Sequence, residues 1–322
     1  MQRRTFVLTA LVSAHPLGWT QAAFPARPVR IVVPFPAGGS PDLIARFLGE
    51  KLTPAWHQGV VVENRSGASG GVGLQQVAQS AADGYTLVMA STGPLAVNPA
   101  VNPSVGYNPL TDFDPVALVG KSPLVLMVNN SVPARTLPEL IELARRQPGK
   151  LSYASAGSGN LTHLVAEMMK IESKTDILHV PYKGTAAVRS DVLGGRVTMF
   201  FDTVPAALPL IRAGQVRALA VTSRERTPIA PDLPTFAESG FGPGFDVNGW
   251  FALLGPRAMP RPVVEALNRD INKALQMPET REQFKSWGID VTPGAPAELA
   301  NLMSTELARW REVVRVAKVK VG

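Results

Sequence analysis

With 322 residues, 45% of them apolar, the chain can bury a large core in one or two domains, which excludes intrinsic disorder and a miniature stapled scaffold. It has no cysteine, so a disulfide framework, a thiolate metal site and a cysteine nucleophile are excluded together. The formal charge of +7 comes from basic residues scattered singly along the chain; no basic stripe with interleaved aromatics marks a nucleic-acid surface.

Residues 1–22 read as a secretory signal: Arg3 and Arg4, a short apolar run over 6–12, then small residues up to Ala22 and Ala23. The apolar run is too short to span a bilayer, and Pro16 and Gly18 interrupt it. Arg3-Arg4-Thr5-Phe6-Val7-Leu8 suits either the general or the twin-arginine export route. Cleavage after Ala22 leaves 300 residues and, with two arginines gone, a formal charge of +5.

After the signal, residues 29–35 form a β-branched apolar run of the kind that makes a buried parallel strand. Pro36-Ala37-Gly38-Gly39-Ser40-Pro41-Asp42 follows as a turn, and Leu43, Ile44, Phe47, Leu48 and Leu52 then recur at helical spacing. The same cycle is expected over strand 60–63, glycine turn 67–73, helix 72–82 and strand 86–90, which ends at Ser91-Thr92-Gly93-Pro94. Alternation at this interval implies βαβ units. Pro, Asn and Asp make 98–114 a loop, and a second cycle opens with two strands, 116–119 and 124–128. Helix 136–146, strand 151–154, the turn Ser155-Ala156-Gly157-Ser158-Gly159-Asn160 and helix 161–171 continue it. A short strand ending at 179–184, a helix closed by Gly194-Gly195, and strands 197–201 and 217–222 complete it. The last third holds one strand, 250–254, and helices over 262–275 and 297–317, too little for a third domain. The chain is therefore expected to return to its first unit near residue 248, giving domain 1 as 23–121 with 248–322 and domain 2 as 122–247, with a ligand cleft between them.

Two turns invite chemistry. Gly38-Gly39 can present backbone N–H groups at the positive end of the next helix, an arrangement suited to an anion, or can be a plain turn with Asp42 capping that helix. Gly157-Ser158-Gly159-Asn160 makes the same offer, with hydroxyls from Ser155, Ser158 and Thr162 nearby. No P-loop is present, and Gly-x-Gly without a third glycine is a poor dinucleotide signal. His163 and His179 lack a partner at metal-ligand spacing, which favours structural hydrogen bonding. A secreted hydrolase using Ser158 and His163 is the alternative, but the Gly-x-Ser-x-Gly elbow is missing. Asp202 stands at a strand end, where it can hold a ligand hydroxyl or ammonium, or merely cap the turn before Pro205.

Arg30 to Gly39, Asp42 with Ala45-Arg46, Val62-Glu63-Asn64-Arg65, Asp83-Gly84-Tyr85-Thr86-Leu87, His179-Val180-Pro181-Tyr182-Lys183-Gly184 and Leu219-Ala220-Val221-Thr222-Ser223 together resemble the Bug (Bordetella uptake gene) family, the TctC-type solute receptors of tripartite tricarboxylate transporters. The resemblance runs over essentially the whole mature chain. It implies an α/β, two-lobed periplasmic binding protein of type II, two doubly wound domains joined by two hinge crossings, that closes over a small organic acid without chemistry. It also implies the large and small integral membrane subunits of a transporter as partners, or a signalling partner if the receptor is sensory. No cofactor, metal or nucleic acid is expected, and the protein is expected to be a monomer. On this resemblance the ligand's carboxylate meets the backbone of Ala37, Gly38, Gly39 and Ser40, with Phe35 and Asp42 beside them. Ser91 and Thr92 line the cleft further, and Ser155, Gly157, Ser158, Gly159, Asn160, His163 and Asp202 face it from the second lobe. Pro41 departs from the family's small polar residue and removes one N–H donor.

Overall fold

The computed structural model describes residues 24–182, 185–242 and 244–319; the expected signal over 1–22 lies outside them. Alternating apolar runs and amphipathic stretches fold as β1 (Val29–Val33), α1 (Ser40–Trp56), β2 (Val60–Asn64), α2 (Gly71–Ala78) and β3 (Thr86–Ser91). β1 lies between β2 and β3, parallel to both. After β3 the chain makes a π-helical turn over Gly93–Val97 and runs straight into α3 (Asn98–Val101), where a loop had been expected from residue 98. Pro99, within the expected loop, and Pro94, expected to close the strand before it, each sit in the first turn of a helical segment, where a missing N–H costs nothing.

The two strands expected at 116–119 and 124–128 are one, β4 (Phe113–Asn129). Gly120 and Pro123 look like breakers in the sequence. In the sheet, register shifts between Pro115 and Ala117 and between Leu118 and Gly120 absorb the irregularity. β4 then changes partners along its length. Residues 113–123 pair antiparallel with β9 (Asn248–Pro256), whereas 124–129 pair with β7 (Met199–Thr203) and β8 (Val216–Val221). Between these lie α4 (Leu137–Arg146), β5 (Ser152–Ser155), α5 (Leu161–Ser173), β6 (Leu178–Pro181), α6 (Thr185–Leu193) and α7 (Val204–Arg212). β5 is parallel to β6 and β7.

β9 adds antiparallel to β3 through Val88–Leu254 and Ser91–Phe251 pairs, so the sheet is mixed. The final region carries α8 (Arg261–Gln276), α9 (Pro278–Ser286), the two-residue β10 (Asp290–Val291) on β4, and α10 (Pro296–Ala317). α7, α9 and β10 were not foreseen. α7 has Pro205 in its first turn and Pro209 inside, α9 is mostly polar, and two residues of strand have no period to read. One buried cluster joins α1 and α8 across β1, β4 and β9 through Ile44, Leu48, Leu267 and Phe251. Another packs α10, through Leu299, Met303, Leu307 and Trp310, with Leu95, Val97, Leu164 and Met169 of the π-helical turn and α5.

Candidate functional site

A cavity of about 630 Å³ opens where the carboxyl ends of the parallel strands meet, the place where open α/β sheets bind ligands. Phe35 follows β1, Ser91 and Thr92 end β3, residues 156–162 follow β5, and Thr203 ends β7. Among the described residues, none on its wall is Asp, Glu, Lys, Arg or His. Phe35, Val97, Val101, Leu161 and Phe251 make much of that wall apolar. What these residues offer an anion is backbone N–H groups, hydroxyls and side-chain amides.

The turn after β5 is built for this. Asn160 caps α5 by accepting from His163 N–H at 3.0 Å and from the Thr162 hydroxyl at 2.9 Å. Thr162 Oγ1 in turn accepts from Ala156 N–H at 3.1 Å. The amides of Leu161 and Thr162, on the wall at the first helical positions, have no intrahelical acceptor by the geometry of a helix start. Glycine is required at 159, where φ is +73° and a Cβ would meet Val101 Cγ1 at 2.7 Å.

Of the residues expected to bind ligand, Phe35, Ser91, Thr92, Gly157, Ser158, Gly159 and Asn160 share this wall. Ala37, Gly38, Gly39, Ser40 and Asp42 do not. Their turn is exposed, and its Gly38 N–H is spent on Asp42 Oδ2 at 2.8 Å rather than aimed outward. Asp42 also accepts from Asn64 Nδ2 at 2.9 Å and pairs with Arg46 at 3.0 Å, while the same Asn64 amide donates to Phe35 O at 3.1 Å. Removal from water raises the Asp42 carboxyl, but the Arg46, Gly38 and Asn64 hydrogen bonds and the Arg46 charge outweigh it and hold it below its ordinary value. Asp42, the third residue of α1, thus ties together the turn before that helix and, through Asn64, the Phe35 carbonyl.

Ser155, His163 and Asp202 stand behind the wall. Ser155 Oγ is fully buried, 2.7 Å from His179 Nε2. Asp202 is buried against Arg189 of α6 at 3.0 Å and accepts from Thr203 N–H at 2.8 Å. Burial pushes its carboxyl up, against the pull of Arg189 and the Thr203 amide. Thr92 is on the wall but uses its hydroxyl structurally, accepting from Trp250 N–H at 2.7 Å. For the hydrolase alternative, no Ser158–His163 hydrogen bond exists among the described residues, because His163 Nδ1 accepts from Gly159 N–H at 2.9 Å. Sequence reasoning missed the wall supplied by Ser69, Asn98, Val101, Asn102 and Phe251. The apolar Leu95, Ala96, Val97 and Ala100, all buried, were the available signal for the helical segment that carries two of them, Asn98 and Val101.

The profile of the tripartite tricarboxylate transporter family receptor matches residues 44–319. The chain belongs to that family. It is 38% identical over 317 residues to the protein BugT of Bordetella pertussis, an alignment that covers 98% of this chain and 96% of BugT. It superposes on R. palustris Rpa4515, solved with adipate, with a TM-score of 0.82 and 36% identity over 92% of this chain and 99% of that one. MatC of Rhodopseudomonas palustris, solved with bound malate, gives a TM-score of 0.78 at 34% identity, with 90% and 100% covered. The Bug and TctC-type receptor expected from the motifs is what these comparisons show, and the fold is that of two-lobed periplasmic binding proteins. Solute binding is the role of the family. Among the described residues no helix is long and apolar enough to cross a membrane.

Proposed function

We propose that the mature protein is an exported, monomeric periplasmic receptor that captures a small organic acid with an apolar body and presents it to the membrane subunits of a tripartite transporter. The observation that carries this reading is the character of the cavity: apolar residues surround hydroxyls and the Leu161 and Thr162 amides at the start of α5, and among the described residues no charged side chain is on the wall. Such a site suits a carboxylate whose remaining surface is hydrocarbon, since extra ionised groups would be desolvated there without a charged partner. Rpa4515, with adipate, and MatC, with malate, support a carboxylate as the class.

In this reading the chain crosses between lobes at 122–124 and again at 247–248, and the lobes close on the acid. In this reading capture involves no chemistry. A thermal-shift panel of adipate, malate, citrate and aromatic monocarboxylates on ligand-stripped protein tests it. An acid present at about 100 times its dissociation constant adds roughly 2.7 kcal/mol of stability, and adipate or an aromatic acid is expected to outrank citrate. A flat response across the panel would remove the reading; citrate ranking first would remove the apolar class.

A further inference from the structure

Behind the turn over 155–160, three rings form a stack that the ligand cavity does not expose. His163 of α5 and His179 of β6 lie 3.9 Å apart at 9°, and Tyr153 of β5 lies 4.8 Å from His179 at 17°. Neither histidine is on the cavity wall. Both nevertheless end on the turn. Gly159 N–H donates to His163 Nδ1 at 2.9 Å, and His179 Nε2 stands 2.7 Å from Ser155 Oγ. The first of these bonds sets the state of His163, because a nitrogen that accepts carries no proton; the ring is neutral with its proton on Nε2.

We propose that His163 is a positioning residue for ligand capture: its neutral ring latches Gly159, and protonation at Nδ1 releases the turn and weakens binding of the organic acid as the medium becomes acidic. This rests on the reading of the turn as a ligand wall. An imidazolium has N–H on both nitrogens, so donor would face donor at Gly159. Gly159 holds a left-handed conformation against Val101, and it cannot move without shifting Ser158 and Asn160 beside it on the wall.

The surroundings agree on which ring takes the proton. From α5, Glu167 bonds to Tyr153 Oη and pairs with Lys170 at 2.7 Å, so a carboxylate and an ammonium face the stack together. β5 contributes Tyr153 and Ser155, and β7 presents Met199 and Phe201; its Asp202 is on the opposite face with Arg189. From α10, Arg309 reaches Met168 of α5 and is paired with Glu306. Burial, and then the neighbouring His163, hold His179 down to about 4. Burial and the Lys170 charge lower His163 as well, while Glu167 opposes them. Two rings in van der Waals contact do not both charge in mild acid, so the first proton goes to His163.

The test follows the Gly159 amide and the His163 ring nitrogens by NMR in the labelled mature protein, from about pH 7.5 to about pH 4.5, around the ordinary histidine value. The Gly159 amide is expected to shift with the midpoint of the His163 ring. In His163→Gln, whose Oε1 accepts from Gly159 N–H without titrating, it should stay in place. A Gly159 shift independent of the His163 midpoint overturns the latch, and the wild-type titration decides this even if the variant fails to fold. Calorimetry with adipate then reads the consequence: the wild type should lose roughly five- to tenfold more affinity over this range than His163→Gln, the value of one hydrogen bond. Equal losses would assign the effect to adipate's own carboxyls and overturn the link to capture. If adipate binds neither protein at pH 7.5, it is the receptor reading for that acid that fails, while the Gly159 titration still decides the latch.

Discussion

Gly159 shows how much a single position on the wall is asked to do. Its φ of +73° is open to glycine at little cost, and the Cβ of any other residue would stand 2.7 Å from Val101 Cγ1 across the cavity. Gly159→Ala should therefore cost about 1–2 kcal/mol for the left-handed backbone and more for the contact, and calorimetry should find affinity for a bound acid reduced by at least about tenfold. Adding Val101→Ala should recover only the part due to the contact. Asp42 illustrates a different kind of residue, one whose hydrogen bonds organise a turn. Its carboxyl is held below its ordinary value of 3.8, so the stabilisation it supplies is complete above that value and disappears as pH falls through the lower, folded one. Asp42→Asn should lower stability by about 1–3 kcal/mol at pH 7, and melting curves should show the gap to wild type narrowing below about pH 4. A gap independent of pH would mean that the carboxylate charge is not what matters.

The elements that were legible in the sequence are those with a clean period and a chemical stop. Helix 137–146 could be read from Leu137, Leu140, Ile141 and Ala144, with Thr136 capping it through Glu139 N–H. α5 could be read because Asn160 caps its start. Illegible elements carried residues whose usual meaning was reversed by context. Pro123 reads as a break, yet it stands in β4 opposite Asn248. Pro94 reads as a strand end and Pro99 as loop, and both stand in the first turns of the helical segments that supply part of the cavity's apolar wall. Glycines divide the same way. A Cβ at Gly73 of α2 would meet Pro34 Cβ at 2.9 Å and Arg65 O at 3.0 Å, backbone and ring that cannot turn aside. At Gly39 the nearest atom is 3.8 Å away and φ is −80°. Gly73→Ala should therefore push α2 off the end of β1 at a cost of about 1–3 kcal/mol, while Gly39→Ala leaves the urea midpoint nearly unchanged. The reverse ranking would mean that the Gly39 turn, not the packing of α2, limits stability.

At the scale of the whole molecule, the division expected from the order of strands and helices, at 121/122 and 247/248, falls where β4 exchanges one set of partners for another. Nothing in the local sequence marked Thr222 as the residue at that junction, because its significance depends on strands about a hundred and about twenty-five positions away. Its fully buried hydroxyl accepts from Leu124 N–H at 2.9 Å and donates to Val247 O at 2.6 Å. Val247 N–H returns a bond to Thr222 O at 2.9 Å. One side chain thus clamps both stretches that we read as crossings between lobes. Thr222→Val keeps the shape but leaves a buried amide and a buried carbonyl short of a partner, which should cost about 1–3 kcal/mol; Thr222→Ser keeps the hydroxyl and should lose less. If the hydroxyl joins two bodies rather than filling space, the valine variant should lower the urea midpoint more than the serine variant. It should also split the transition monitored on the two sides of β4, by Trp287 beside α9 and by Tyr153 in β5. Equal effects of the two variants on a single, unbroken transition would mean that the methyl group, packed in the core, carries the role instead.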